Sequence, residues 1–184
     1  QSKSIVVVAN KNFKKAQEFF EGFTVTTGNR YLGGFIGEED AKIEWVNELV
    51  EGWVKDIRIF AQTSLDYPQA AYAGFKSSKQ MEWQFVQRVL KGLNSWFTPL
   101  DKAIEEEFIT HLFEKSFNTD PLRMALFHLP VKYAGLAIPK PTVTGEGNYK
   151  ASRMTTQYLI SAALDHTIQF RITEYQDSVR DAKR

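Results

Sequence analysis

The sequence contains no cysteine, so disulfide scaffolds, thiolate zinc sites and cysteine nucleophiles are excluded. It also contains no Asn-x-Ser/Thr sequon. The apolar run at residues 5–9 is far shorter than the ~18 residues that a membrane span needs. We therefore expect no membrane segment and an intracellular location, cytoplasmic or nuclear. Because the chain opens directly into a strand-like run, we also expect it to be a piece of something longer.

The chain has no strong excess of either charge. Its 23 Lys and Arg residues oppose 22 Asp and Glu residues, which gives a net charge of +1. This balance excludes a strongly basic tail for nucleic-acid binding and leaves only local basic patches. Hydrophobic residues make up 43% of the 184 residues, enough to bury a core, while composition leaves the function open.

The first 37 residues predict a small β-α-β-β unit. A β-branched run at residues 4–9 is typical of a buried strand. Apolar residues at helical spacing predict a short helix over residues 13–23. Residues 24–36 then predict a hairpin with its turn at Gly28-Asn29. Too few strands are present for this unit to stand by itself.

Beyond residue 37 the hydrophobic period changes from 2 to 3.6, which predicts a helical bundle. A long amphipathic helix is expected over residues 38–66, and a second begins at Pro68. The buried side of the second helix is predicted to comprise Ala71, Tyr72, Phe75, Phe85, Val86 and Val89. A third helix, capped by Asn94 or Ser95, carries Phe97, Leu100, Ile104, Phe108 and Leu112.

The C-terminal third is predicted to be looser. A short helix follows Asp120-Pro121 to about residue 127, and the Pro and Gly residues of segment 128–148 predict a long loop. A last helical stretch starts near Asn148, with a polar end at residues 173–184 that frays or awaits a partner. The predicted class is therefore α+β, predominantly α-helical. Its regions are residues 1–37, a helical bundle over 38–127, and a loop plus C-terminal helical region over 128–184.

The histidine and acidic side chains, which most often take part in catalysis or metal binding, are not expected to lie together in one site. His111, His128 and His166 fall in three different elements without metal-ligand spacing, so no metal site is expected. His111 lies one helical turn after Glu107, which favours an exposed ion pair between them. The acidic run at residues 105–107 is spread by ~100° per residue around a helix, which favours a solvated face.

One segment has a local excess of positive charge. Between residues 76 and 91 a single acid, Glu82, opposes four cations, with Trp83 and Phe85 interleaved; the cations are Lys76, Lys79, Arg88 and Lys91. Cations with aromatic rings hold a nucleic-acid backbone and stack bases. The alternative is an ordinary solvated helix in which Phe85 belongs to the apolar stripe.

The most informative motif is Arg-Tyr-Leu-Gly-Gly-Phe-Ile-Gly at residues 30–37. It resembles the primer-grip hairpin, a Leu-Gly turn between two short strands, that follows the catalytic aspartates in reverse transcriptases of eukaryotic non-LTR-like retroelements. Lys3-Ser4 before a hydrophobic strand resembles the motif that ends the palm, and residues 16–22 resemble the intervening helix. Downstream, Trp53, Trp83 with Arg88, and segments 68–72, 99–104 and 129–132 follow in the order of a thumb and its continuation.

This resemblance implies a role for particular residues. Residues 1–37 would be the remnant of a palm and residues 38–127 a thumb-like bundle, with the catalytic half of the polymerase upstream as a partner. Lys3 would match the palm lysine that assists pyrophosphate departure. The hairpin residues that would position the 3′ end of the primer are Tyr31, Leu32, Gly33 and Gly34. The expected phosphate contacts are Lys76, Lys79 and Arg88.

Two departures from the family pattern stand out. The family commonly has Gly-Gly-Leu-Gly after Leu-Pro, where this chain has Ala-Gly-Leu-Ala at residues 134–137. More seriously, the chain has no Asp-Asp pair, so the Tyr-x-Asp-Asp metal site of the family is missing. Two-metal phosphoryl transfer needs those carboxylates. We therefore expect a non-catalytic fragment that binds primer–template weakly and holds no cofactor of its own.

An alternative from the residues themselves stays open. The chain would then be a helical protein–protein interaction module, or a subunit of a larger assembly, without nucleic-acid binding. The polar C-terminal end and the incomplete sheet, whose edge invites pairing, favour this interpretation. In that case the glycine-rich segment 28–37 is only a tight hairpin.

Overall fold

The computed structural model describes residues 4–113, 121–165 and 167–181. Its helices far outnumber its strands, which form two small sheets, so the predicted class of a predominantly helical α+β protein is confirmed. The chain divides into two compact units, residues 1–56 and residues 57–184. The division falls within the longest helix, and each unit is described by itself below.

The first unit begins with a parallel pair of short strands joined by a helix. Strand β1 (Ile5–Val7) pairs in parallel with β2 (Thr24–Thr26), and helix α1 (Phe13–Phe19) connects them. Parallel strands need such a crossover because a tight turn brings the chain back in the antiparallel direction. Helix α1 ends four residues earlier than predicted, and Gly22 then takes a positive φ of 85° on the way into β2.

An antiparallel hairpin follows, with strands β3 (Gly28–Tyr31) and β4 (Gly34–Gly37). Its turn lies at Leu32-Gly33, so the turn predicted at Gly28-Asn29 is wrong. Gly28 is instead paired inside the ladder with Gly37. A Cβ at position 28 would collide with the ring of Phe35, so this glycine is required by packing and not by a turn.

Helix α2 (Glu39–Ser64) confirms the long amphipathic helix predicted over residues 38–66. Acidic Glu39 and Asp40 lie in its first turn, where they oppose the positive end of the helix dipole. In the first unit, the ring of Trp45 on this helix stacks on Phe35 of β4 at 5.4 Å between centroids. The hairpin is thereby fixed to the helix that follows it.

The second unit contains two helical runs that are each interrupted by a π-helical segment. The first run consists of α3 (Pro68–Gly74), the π-helical Phe75–Lys79 and α4 (Gln80–Val89). The second consists of the 3-10 turn Asn94–Phe97, α5 (Thr98–Lys102), the π-helical Ala103–Ile109 and α6 (Thr110–Leu112). The two π-helical segments meet in the core, where Phe75 and Phe108 stack at 4.7 Å.

The first π-helical segment rotates the buried face of α4. A π turn contains an additional residue, so the inward positions proceed from Phe75 to Gln80 and then to Trp83. Phe85 and Val89, which were predicted to be buried, are 45% and 43% exposed. That prediction is wrong because it assumed an unbroken period of 3.6 residues. The predicted burial of Phe97, Leu100, Ile104 and Phe108 on the third helix is confirmed.

The last elements of the second unit are α7 (Pro121–His128), the 3-10 turn Val131–Tyr133, α8 (Pro141–Leu164) and α9 (Ile172–Asp181). The loop predicted over residues 128–148 is therefore too long, because α8 already begins at Pro141. Proline is favourable at this first helical position. Gly145 does not break α8; a Cβ there would collide with the Oδ1 atom of Asn94, so the glycine allows close packing.

Candidate nucleic-acid interface

The tip of the hairpin presents an apolar side chain in a strained backbone conformation. Leu32 has a φ of +48° and is 83% exposed, and the neighbouring Tyr31 is 60% exposed. Gly33 follows with a φ of +82°, so both turn residues have the positive φ of a type I′ turn. Asn or Gly would fit position 32 better than Leu. Local stability therefore does not account for this residue.

Hydrogen bonds and a close glycine contact hold the base of the same hairpin. The hydroxyl of Thr26 donates to the carbonyl oxygen of Gly28 at 2.8 Å, and the amide of Glu38 donates to the carbonyl of Thr27 at 2.9 Å. Gly37, opposite Gly28, leaves no room for a Cβ against that strand. The turn is thus exposed at the end of a hairpin whose base is hydrogen-bonded and closely packed.

Three sequence predictions lie outside the described residues. Lys3, the proposed palm lysine, is one of them, and so are His166 and the capping residue Asp120. Gly34 is described and is buried at the start of β4, opposite Tyr31. The hairpin residues belong to the first unit, and the basic segment belongs to the second.

The structure separates the cations of the basic segment by their environment. Lys76 donates from Nζ to the carbonyl oxygen of Ala137 at 3.0 Å. Lys79 is buried and pairs with Glu82 at 2.9 Å. Arg88 is exposed on α4, one helical turn after the exposed ring of Phe85. Of the aromatic pair, Trp83 is fully buried and offers no stacking face.

Three side chains hold the loop before α8, each through a hydrogen bond that one of three consecutive main-chain carbonyls accepts. The contacts are Tyr72 Oη to Leu136 O at 2.6 Å, Lys76 Nζ to Ala137 O at 3.0 Å, and His128 Nδ1 with Ile138 O at 2.8 Å. Buried carbonyls need such partners when the loop has no ladder to supply them. The sequence did not indicate this role for Lys76 or His128.

The same loop contains two alanines in the left-handed region. Ala134 has a φ of +61° and Ala137 a φ of +48°, where glycine is favoured over residues with a Cβ. Between them, Gly135 leaves no room for a Cβ against the carbonyl of Leu129.

Glu105 lies in a partly buried polar cluster, not on the solvated face that was predicted. Its Oε1 accepts from Lys140 Nζ at 2.7 Å and lies 3.2 Å from His128 Nε2. The hydrogen bond to Glu105 is the main reason why the pKa of Lys140 is raised above its ordinary value. These three residues line one side of a cavity of about 700 Å³, whose apolar walls include Met124 and Val143.

Asp101 is buried beside this cluster and caps α8. Its carboxylate accepts from both the amide and the hydroxyl of Thr142, in the first turn of that helix. Burial raises the pKa of Asp101, while the hydrogen bonds from Thr142 act in the opposite direction. Sequence reasoning missed this residue because its partner is 41 positions away.

The ion pair predicted between His111 and Glu107 is wrong. His111 Nδ1 instead bonds to the main-chain carbonyl of Glu107, and the Glu107 carboxylate accepts from Arg58 Nε at 3.0 Å. Among the described residues, no cluster of three or more His, Asp or Glu side chains could hold a metal ion. In the same part of the chain, no helix combines the length and apolar character needed to cross a bilayer.

Comparison of this chain with protein-family models, with curated proteins and with solved structures gives no match.

Proposed function

We propose that this chain is a non-catalytic part of a reverse-transcriptase-like polymerase and positions primer–template nucleic acid. The observation that carries the proposal is the exposed, strained Leu32 at the tip of a hydrogen-bonded hairpin. Residues whose backbone conformation lowers the stability of the fold are typical of functional sites. Tyr31, Leu32, Gly33 and Gly34 would meet the 3′ end of the primer.

The loop at residues 134–137 supports the same proposal. Ala134 and Ala137 have positive φ at the two positions where the family pattern has glycine and this chain does not. Glycine is the residue that a positive φ favours, so the backbone at these two positions suits the family pattern. The Leu-Pro dipeptide at residues 129–130 precedes this loop, in the expected order.

Arg88 is the strongest of the proposed phosphate contacts. Its guanidinium is exposed, and Phe85 beside it presents part of a ring for stacking. Lys76 and Lys79 bind protein oxygen atoms, so their contribution to phosphate binding would be smaller. The partner that supplies the Tyr-x-Asp-Asp carboxylates, and with them the metal ions, is the upstream half of the polymerase.

Binding of a fluorescent RNA–DNA hybrid with a recessed 3′ end tests this proposal. We expect weak binding that falls steeply between low and high salt, because phosphate contacts release counterions. Leu32→Asn should weaken binding to the recessed end while the hairpin remains folded, since Asn-Gly suits a type I′ turn. Arg88→Met should weaken binding to recessed and blunt hybrids alike. Equal absence of binding by the unaltered chain at both salt concentrations would contradict the proposal.

A protein-interaction module remains the second candidate function. Large apolar side chains are exposed along the C-terminal helices, among them Met154, Leu164 and Ile172. Such residues mark protein contacts when they are contiguous. If this candidate is correct, gel filtration will show association that Arg88→Met leaves unchanged, and the hybrid will not bind.

A further inference from the structure

One face of α1 borders a shallow apolar depression in the first unit. The depression is lined by Val8, which follows β1, and by five positions at the helical spacing i, i+3, i+4, i+7 and i+8, namely Asn12, Lys15, Ala16, Phe19 and Phe20. Its volume is about 240 Å³. Pockets for drug-sized ligands have roughly 300–1,000 Å³, so this smaller depression suits a single flat ring system.

An exposed aromatic ring forms one wall of the depression. Phe19 is 79% exposed, and Phe20 meets it edge to face at 5.0 Å between ring centroids. Phe23 continues the cluster at 6.2 Å from Phe20 and is 48% exposed. A phenylalanine ring in water forgoes the favourable free energy of its burial. The stability of this unit therefore does not account for the position of Phe19.

Two polar side chains at the rim of the depression are available to a ligand. Asn12 immediately precedes α1, where an asparagine commonly caps the helix, yet its side chain makes no capping hydrogen bond. Within the described part of the chain, no side chain or main-chain group pairs with the Lys15 ammonium. The rim thus offers an amide, which both donates and accepts hydrogen bonds, and a cation.

The charge at this end of α1 is positive. Lys11 precedes the helix, Lys14 and Lys15 lie in its first turn, and that turn contains no acidic residue. The helix dipole disfavours cations at this end, so helix stability does not account for the lysines. The nearest acid along the helix, Glu18, lies ~100° around the axis from Phe19 and therefore off the ring's side of the helix.

We propose that this face of α1 binds single-stranded nucleic acid. One base stacks on Phe19 in the depression, the Asn12 amide bonds to the edge of that base, and Lys15 contacts a neighbouring phosphate. Stacking on aromatic rings, polar contacts to base edges and cations along the backbone are the chemistry of single-strand recognition. An anionic membrane surface would use the rings and the lysines but would leave the amide without a role. The proposal uses no residue of the hairpin tip or of segment 76–91, so it does not rest on the proposed function.

Fluorescence anisotropy of the full chain with a labelled oligodeoxythymidylate of about 16 nucleotides tests the proposal, since a strand of this length spans a whole site. Phe19→Leu keeps an apolar side chain but removes the stacking face, and should weaken binding about fivefold or more. Lys15→Gln should reduce the slope of log K against log salt concentration by about 0.7, the value for one phosphate of a single strand. Lys55→Gln, the same change at an exposed position of α2, should alter neither quantity.

Several outcomes would overturn the proposal. They are absence of binding by the unaltered chain, an unchanged affinity in Phe19→Leu, and binding of phosphatidylserine vesicles by a chain that does not bind the strand. Equally tight binding of thymidine monophosphate would exclude the strand as the occupant. Circular dichroism checks that each variant is folded.

The same strand separates this proposal from the proposed function, because it has no recessed duplex end. Leu32→Asn should leave its binding unchanged. The two proposals therefore fail separately: an unchanged affinity of Leu32→Asn for the recessed hybrid contradicts the proposed function, and an unchanged affinity of Phe19→Leu for the single strand contradicts this one.

Discussion

Lys76 binds the main chain of Ala137, with Nζ 3.0 Å from the carbonyl oxygen. The contact joins a π-helical segment to a loop 61 residues later in the chain. It also explains why Ala137 is held in the left-handed region, since the flanking carbonyls are bound by Tyr72 and His128. A cation expected from its sequence neighbourhood to face solvent therefore holds a loop in place.

Lys76→Met should lower the free energy of unfolding by about 1–2 kcal/mol, because a part-buried carbonyl loses a charged donor. Arg88→Met removes the same charge from an exposed position and should change stability by no more than about 0.5 kcal/mol. Urea denaturation of both variants measures the difference. Equal stability of the two variants would mean that the Lys76 contact contributes nothing to the loop.

Ala134→Gly and Ala137→Gly should each stabilise the protein by roughly 0.5–1 kcal/mol. Removal of the Cβ relieves the cost of a positive φ, and the greater freedom of glycine in the unfolded chain offsets part of that gain. Ala163→Gly, at an exposed helical position in α8, should instead destabilise by about 1 kcal/mol. Thermal melts of the three variants provide the comparison, and a loss of stability in both loop variants would contradict the strained geometry.

Two glycines of α8 should respond in opposite directions to alanine. Gly145→Ala brings a Cβ into the Oδ1 atom of Asn94 and should cost about 1–3 kcal/mol. A Cβ added at Gly147 would meet no atom within 4 Å, so Gly147→Ala should stabilise the helix by about 0.5–1 kcal/mol. Chemical denaturation of this matched pair, two residues apart, tests whether helix α8 begins at Pro141 or near Asn148. Stabilisation by both changes would show that position 145 does not pack as described.

The Asp101 carboxylate should give the stability a recognisable pH dependence. Burial raises its pKa, so the folded chain retains this proton to a higher pH than the unfolded chain, whose pKa is near 3.8. The contribution of Asp101 to stability therefore falls as pH rises from 3.8 through the raised pKa. Asp101→Asn keeps an acceptor for Thr142 and should gain stability relative to the unaltered chain across that window.

Asp101→Ala is the matched control, because it removes the acceptor as well as the charge. The first turn of α8 then loses its cap, which should cost about 0.5–2 kcal/mol. Urea denaturation at acidic and neutral pH distinguishes the two variants. If Asp101→Asn loses as much stability as Asp101→Ala at neutral pH, the charge itself is required for the cap.

The positions of several helices were evident from the sequence because their cause is local. Helix α2 has a regular apolar period over 26 residues, and Pro68 and Pro121 each occupy the start of a helix. The burial of Phe97, Leu100, Ile104 and Phe108 follows from the same period. These features depend on neighbours within a few positions, which a single sequence displays.

Other features depend on contacts between distant positions, and only the tertiary structure determined them. Trp83 is buried and Phe85 is exposed because the π turn at Phe75–Lys79 contains one additional residue, which rotates every later side chain around the helix axis. The sequence pattern predicts a loop at Gly145, whereas the structure places it in α8 with its Cα packed against Asn94. Residue type and spacing therefore determined where helices form. The choice of buried face, and the partners of Lys76, Asp101 and Glu105, were decided by packing between elements that the sequence does not place side by side.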